Sequence, residues 1–190
     1  MGGGIGGGSS NAASVLLVLN HLWKCSMSQD ELADLGLSLG ADVPVFVHGK
    51  TAFAEGVGEK LVPYPQVEKY FLVATPDVHV STADVFTHPD LNRDTKKIDI
   101  NQYDFKNTKN DCETLVSKMH PQVANLLQWL INYAPSRMTG TGASVFSVFE
   151  TMQEAQETLQ KLPEQYTGFV ARGVNESPLH QQLRALDVEC

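Results

Sequence analysis

Basic residues are scarce and never clustered. The chain carries 14 Lys and Arg against 22 Asp and Glu, a net charge of -8, and its longest basic run is the pair Lys96-Lys97. A surface for nucleic acid or an anionic membrane needs a patch of cations to neutralise phosphates, so neither partner is expected. A single nucleotide is not excluded, because backbone N–H groups can hold it locally inside an acidic protein. Cysteine is also sparse: Cys25, Cys112 and Cys190 are far apart and odd in number. That spacing argues against a disulfide framework or a thiolate metal site and fits a reducing cytoplasm. The six histidines are scattered, with no His-x-x-x-His pair, so no metal site is expected. No apolar run exceeds Val15 to Leu19, far too short to span a bilayer, and the N-terminus lacks the basic region of a signal peptide.

Glycine, by contrast, is concentrated at the start, in MGGGIGGGSS. Gly2, Gly3, Gly4, Gly6, Gly7 and Gly8, interrupted only by Ile5, allow positive φ and close approach of backbone N–H groups to a ligand. Ser9 and Ser10 then lead into a helix whose N-terminal dipole favours an anion, so Met1 to Ser10 has the makings of a phosphate cradle. No Gly-Lys-Ser/Thr follows, which excludes a Walker loop. A flexible Gly/Ser linker is the alternative reading, opposed by the unbroken run into Asn11-Ala12-Ala13.

The rest of the chain alternates helical and strand-like patterns, giving an α+β or α/β class. Ser9 to Trp23 reads as a helix apolar nearly all round and hence buried. Ser28 and Glu31 form a capping-box pattern for a second helix that runs through Leu32, Leu35 and Leu39 to a stop at Gly40. In Ala41 to Val47, Pro44 argues against helix and the tail reads as a short buried strand. Thr51 to Glu55 and Glu59 to Val62 suggest a hairpin, Tyr70 to Ala74 a strand, and Ser81 to Phe86 a short helix. Pro63 to Pro65 is the expected domain boundary, separating residues 1–64 from 65–190. After a polar loop from Asn92 to Asn110, helices are expected over Asp111 to Met119 and Pro121 to Tyr133, the latter a core element. Strand-like Arg137 to Thr139 and Ser144 to Phe149 flank Gly140-Thr141-Gly142-Ala143. A capping box at Thr151 and Glu154 opens a helix to Leu162, and Gly168 to Gly173 is the last strand.

These motifs carry a resemblance. MGGGIGGGSSNAA is similar to the second signature of the GHMP kinases, Leu39 to Phe46 resembles the family's catalytic aspartate segment, and Ser136 to Ala143 resembles its third signature. Gly173 to Leu179 resembles a C-terminal segment of the same family. The resemblance implies a GHMP kinase fold: an incomplete N-terminal domain of ribosomal-protein type over 1–64, which binds ATP, and a ferredoxin-like C-terminal domain over 65–190. It implies that a strand-rich segment precedes the glycine loop in relatives, so that Met1 is expected to be an internal methionine and the chain alone a poor catalyst.

The implied reaction is ATP-dependent phosphorylation of the 2-hydroxyl of 4-diphosphocytidyl-2-C-methyl-D-erythritol, with Mg2+ travelling on the nucleotide. Homoserine- and mevalonate-type acceptors, or an inactive remnant, are the alternatives; spacing and composition reach only to a phosphate-binding α+β domain. By the same resemblance Asp42 lies beside the hydroxyl that receives the phosphoryl group, where the residue alone would read as a turn cap before Pro44. Gly140, Thr141 and Gly142 help shape the phosphate region, or form a simple strand turn. Thr82 offers a polar contact to substrate and Phe86 an aromatic face to its cytosine, with core packing the alternative for a lone Phe.

Overall fold

A computed structural model describes residues 3–188. The chain divides into two compact units: a sheet unit of Lys69–Gly173 with the start of the chain up to Ile5, and a helical unit of Gly6–Glu68 with the segment from Val174. Among the described residues no helix is long and apolar enough to cross a membrane.

The helical unit holds α1 (Gly7–Leu22), α2 (Gln29–Leu39), α3 (Val43–His48), the strands β1 (Ala52–Glu55) and β2 (Lys60–Pro63), and, from the far end of the chain, α8 (Pro178–Val188). The capping box at Ser28 and Glu31 is present, and α2 ends at Gly40 as its sequence dictates. β1 and β2 form the expected antiparallel hairpin.

Two expectations fail in this unit. Val43 to Val47 is helix, not strand: Pro44 lies in the first turn of α3, where a missing N–H costs nothing, and Gly49 closes the helix in the left-handed conformation. Nor is α1 buried all round. Only Ala13 and Leu17 are buried, because one face packs on α2 and α3 while Val15, Leu22 and Trp23 face outward, Trp23 at 69% exposure. α8 is an addition to the sequence-based elements, its Leu179 and Leu183 packing on the core formed by Ala13, Leu32, Val43 and Val47.

In the sheet unit the strands are β3 (Tyr70–Pro76), β4 (Ser136–Met138), β5 (Val145–Phe149) and β6 (Tyr166–Arg172). They pair antiparallel throughout in the order β4-β5-β3-β6. With helices α4 (Thr82–Thr87), α5 (Glu113–Met119) and α6 (Pro121–Ile131) between β3 and β4, and α7 (Met152–Leu159) between β5 and β6, this is the ferredoxin-like arrangement. Side chains alternate along each strand. Leu72 and Ala74 on β3 and Val145 on β5 are buried with Val123, Leu126 and Leu130 of α6. α6 lies over β3, β4 and β5, and α7 over β3, β5 and β6. The polar loop between α4 and α5 holds two short 3-10 turns, Ile100–Gln102 and Phe105–Asn107. It is tied to β4 by Arg137, whose guanidinium donates to the carbonyls of Phe105 and Thr108 and lies 4.1 Å from the centre of the Phe105 ring.

Candidate active site

Within the sheet unit, β4 and β5 are joined by the glycine turn over 139–144, and the first glycines of the chain lie on it. The Ser144 N–H donates to the Gly3 carbonyl (3.1 Å), and the Thr139 hydroxyl donates to the Gly4 carbonyl (2.5 Å). Gly4 has φ +70°, and a Cβ there would stand 2.5 Å from the Thr139 carbonyl oxygen and 2.8 Å from that of Gly142. Only glycine satisfies both the conformation and the space. The Ser144 hydroxyl, fully buried, is bonded to that of Thr75 at 2.7 Å. Thr82, at the start of α4, is bonded through its hydroxyl to that of Thr141 at 2.9 Å. Phe86 lies one helical turn further along and is 56% exposed, so it is not a core residue.

Two signature segments and the candidate substrate helix are thus joined by direct bonds inside one unit. Gly2 lies outside the described residues, as does Cys190, and Ile5 is half exposed.

Within the helical unit, Gly6 precedes α1 with φ +69° and no side chain caps the helix. The first intrahelical bond runs from the Ser10 N–H to the Gly6 carbonyl (2.8 Å), so the N–H groups of Gly7, Gly8 and Ser9 lie ahead of it, as at any helix start. A Cβ built on Gly7 or Gly8 would meet nothing within 4 Å, and the first turn holds no acidic residue. Among the described residues the end of α1 is therefore open and electropositive.

Asp42 is at this same end: Gly40, two residues before it, would place a Cβ 3.9 Å from the Ser9 hydroxyl, and the Gly58 turn of the hairpin packs on the Ala41 carbonyl. Asp42 precedes α3 but its side chain does not cap it, so the turn-cap reading fails. The exposed carboxylate makes no hydrogen bond or ion pair among the described residues.

A polar cavity of about 270 Å³ lies elsewhere, in the sheet unit, with Asp90, Asn92, Lys109 and Asn110 among its walls. It includes none of the residues expected from sequence. Thr75, Ser144 and Asn110 were not among those residues either; buried hydroxyls and a carboxamide that bonds backbone leave no periodic trace in a sequence.

The comparisons with known proteins bear on both units. The GHMP kinases N terminal domain matches residues 1–50, and the GHMP kinases C terminal domain matches residues 93–168. A 4-diphosphocytidyl-2-C-methyl-D-erythritol kinase of Pseudoalteromonas atlantica is 59% identical over 186 residues, which are 98% of this chain and 65% of that protein. The kinase of the same name from Shewanella loihica is 58% identical, over 96% of this chain and 64% of its own length. The chain therefore spans about 65% of the length of the curated relatives it matches.

Among solved structures, a crystal structure of 4-(cytidine 5'-diphospho)-2C-methyl-D-erythritol kinase superposes with a TM-score of 0.77 at 26% identity, covering 90% of this chain and 66% of that one. A homoserine kinase from Cytophaga hutchinsonii superposes with a TM-score of 0.64 at 16% identity, a likeness of fold alone. Both domains of one family are matched in order, by a chain whose relatives share more than half its residues along nearly all of it, and so this chain belongs to the GHMP kinase family.

Proposed function

We propose that this chain carries the phosphate-binding and acceptor-side groups of an ATP-dependent kinase that phosphorylates the 2-hydroxyl of 4-diphosphocytidyl-2-C-methyl-D-erythritol. One observation carries the reading most directly: the unobstructed N–H groups that begin α1 and the unbonded carboxylate of Asp42 belong to the same end of one unit. The open space over Gly7 and Gly8 fits a phosphate chain, which side chains there would crowd. When bound, ATP supplies the phosphoryl group, and Mg2+ on its phosphates offsets their charge.

Gly6, Gly7, Gly8, Ser9 and Ser10 present donors to the phosphates. Gly3, Gly4, Gly140, Thr141 and Gly142 hold the loop that leads to them. Asp42 orients the acceptor hydroxyl and takes up its proton, while Thr82 and Phe86 meet the substrate, the ring of Phe86 free to stack on a flat base. In this reading Mg2+ is carried by the phosphates of the nucleotide. The assignment of 1–64 and 65–190 to the two family domains, and a cytoplasmic setting for water-soluble substrates, belong to the same reading.

Asp42→Asn tests it. In an enzyme completed to the length of the relatives, turnover in an ADP-coupled assay is expected to fall about a hundredfold or more while nucleotide still binds. Wild-type turnover by the variant would remove Asp42 from the chemistry. Competition among the cytidine-linked acceptor, homoserine and mevalonate in the same assay decides the substrate class, and preference for either of the latter overturns the assignment.

A further inference from the structure

The glycine turn over 139–144 is held from two sides, and only one belongs to the sheet. On its inner side β4 pairs with β5. On its outer side β4 is the sheet edge, where a strand leaves backbone groups without a partner. Side chains from the end of the polar loop fill that role. The Asn110 carboxamide donates both of its N–H bonds, to the carbonyls of Met138 (2.9 Å) and Gly140 (2.7 Å), while its oxygen accepts the Cys112 N–H at 2.9 Å. The Glu113 carboxylate accepts the Met138 N–H at 2.8 Å. Asn110 thus spans the last residue of β4 and the first glycine of the turn, with every hydrogen-bonding group of its amide engaged.

We infer that Asn110 is a positioning residue for the nucleotide site. Its amide fixes the carbonyls of Met138 and Gly140, and through them the backbone that grips Gly3 and Gly4 by way of the Ser144 N–H and the Thr139 hydroxyl. The inference rests on the proposed reading of that loop as the approach to the phosphate cradle. Asparagine is required because two carbonyls need two donors in one plane. Aspartate has the same shape but presents acceptors to acceptors, and alanine leaves both carbonyls unpaired.

The test compares Asn110→Ala and Asn110→Asp with the wild-type chain by calorimetric titration with Mg·ATP and by amide hydrogen exchange. A buried-cavity variant of the same unit, Val123→Ala, serves as a control for lost stability. Both Asn110 variants are expected to bind Mg·ATP about tenfold more weakly, Asp at least as weakly as Ala, and to exchange the Ser144 amide faster. Val123→Ala is expected to lower the melting temperature without changing affinity. Equal affinity in folded wild-type and Asn110→Ala proteins, or an equal loss in Val123→Ala, overturns the positioning role. Should the wild-type chain bind no nucleotide, the functional reading fails on its own, and unchanged Ser144 exchange in Asn110→Ala overturns this inference separately. If Asn110→Asp does not fold, Asn110→Ala decides.

Discussion

Gly4 and Gly7 look alike in the sequence and are opposites in the structure. Gly4 is left-handed, with no room for a Cβ, whereas Gly7 begins α1 beside empty space. Gly4→Ala is therefore expected to destabilise the fold by at least about 1–2 kcal/mol, the cost of a left-handed L-residue before any clash is added, measured by chemical denaturation. Gly7→Ala should fold as well as wild type or better, since alanine favours helix, yet bind Mg·ATP more weakly. Unchanged affinity in Gly7→Ala would place the phosphates elsewhere.

Cysteine reactivity follows the same logic of surroundings. Cys25 is exposed, while burial first and Asp111 second push the Cys112 thiol above its ordinary value. Peptide mapping after brief alkylation at neutral pH should find Cys25 modified well before Cys112. At this scale the sequence announced Thr82 and Thr141 through separate segments, but not the bond between them, because residues 59 apart share no pattern until the chain folds.

Helix starts were the most legible elements, because a cap is a local bond between residues three apart. Both capping boxes read from the sequence are formed, at Ser28 with Glu31 and at Thr151 with Glu154. Thr151→Ala is expected to cost about 1 kcal/mol, seen as a lower melting temperature with no change in nucleotide affinity. The Glu31 carboxylate accepts the backbone N–H and hydroxyl of Ser28, which hold it below its ordinary value of 4.5. An acid depressed by folding stabilises the protein fully above its unfolded pKa and loses that contribution as pH falls through the folded one. The difference in melting temperature between wild type and Glu31→Gln should accordingly be present at neutral pH and shrink on acidification below about 4.5. The strand expected over Val43 to Val47 fails for a matching reason: proline forbids the middle of a helix and suits its start, and the apolar run alone does not say which applies.

At the scale of the whole molecule, the proline-marked break near Pro65 lies close to the change of unit at Glu68, yet the units are not two successive halves of the chain. Composition reveals a linker and is blind to a late segment that returns to an early core. Asn175 shows how that return is secured. Its carbonyl accepts the Thr51 N–H, its side chain exchanges hydrogen bonds with the Gln66 backbone, and its own N–H donates to Glu68 at 3.3 Å.

Ending the chain at Gly173 should therefore raise amide exchange across α1 to α3 while β3 and β5 stay protected. Unchanged exchange in the helices would mean that the returning segment contributes little. The same return sets an order of events during synthesis. The sheet unit has all of its strands once Arg172 has emerged, whereas α1 to α3, which precede those strands in the chain, must wait for Leu179 and Leu183. Helices made before the sheet thus finish folding after it, with apolar surface left exposed in the interval, where a ribosome-associated chaperone could bind.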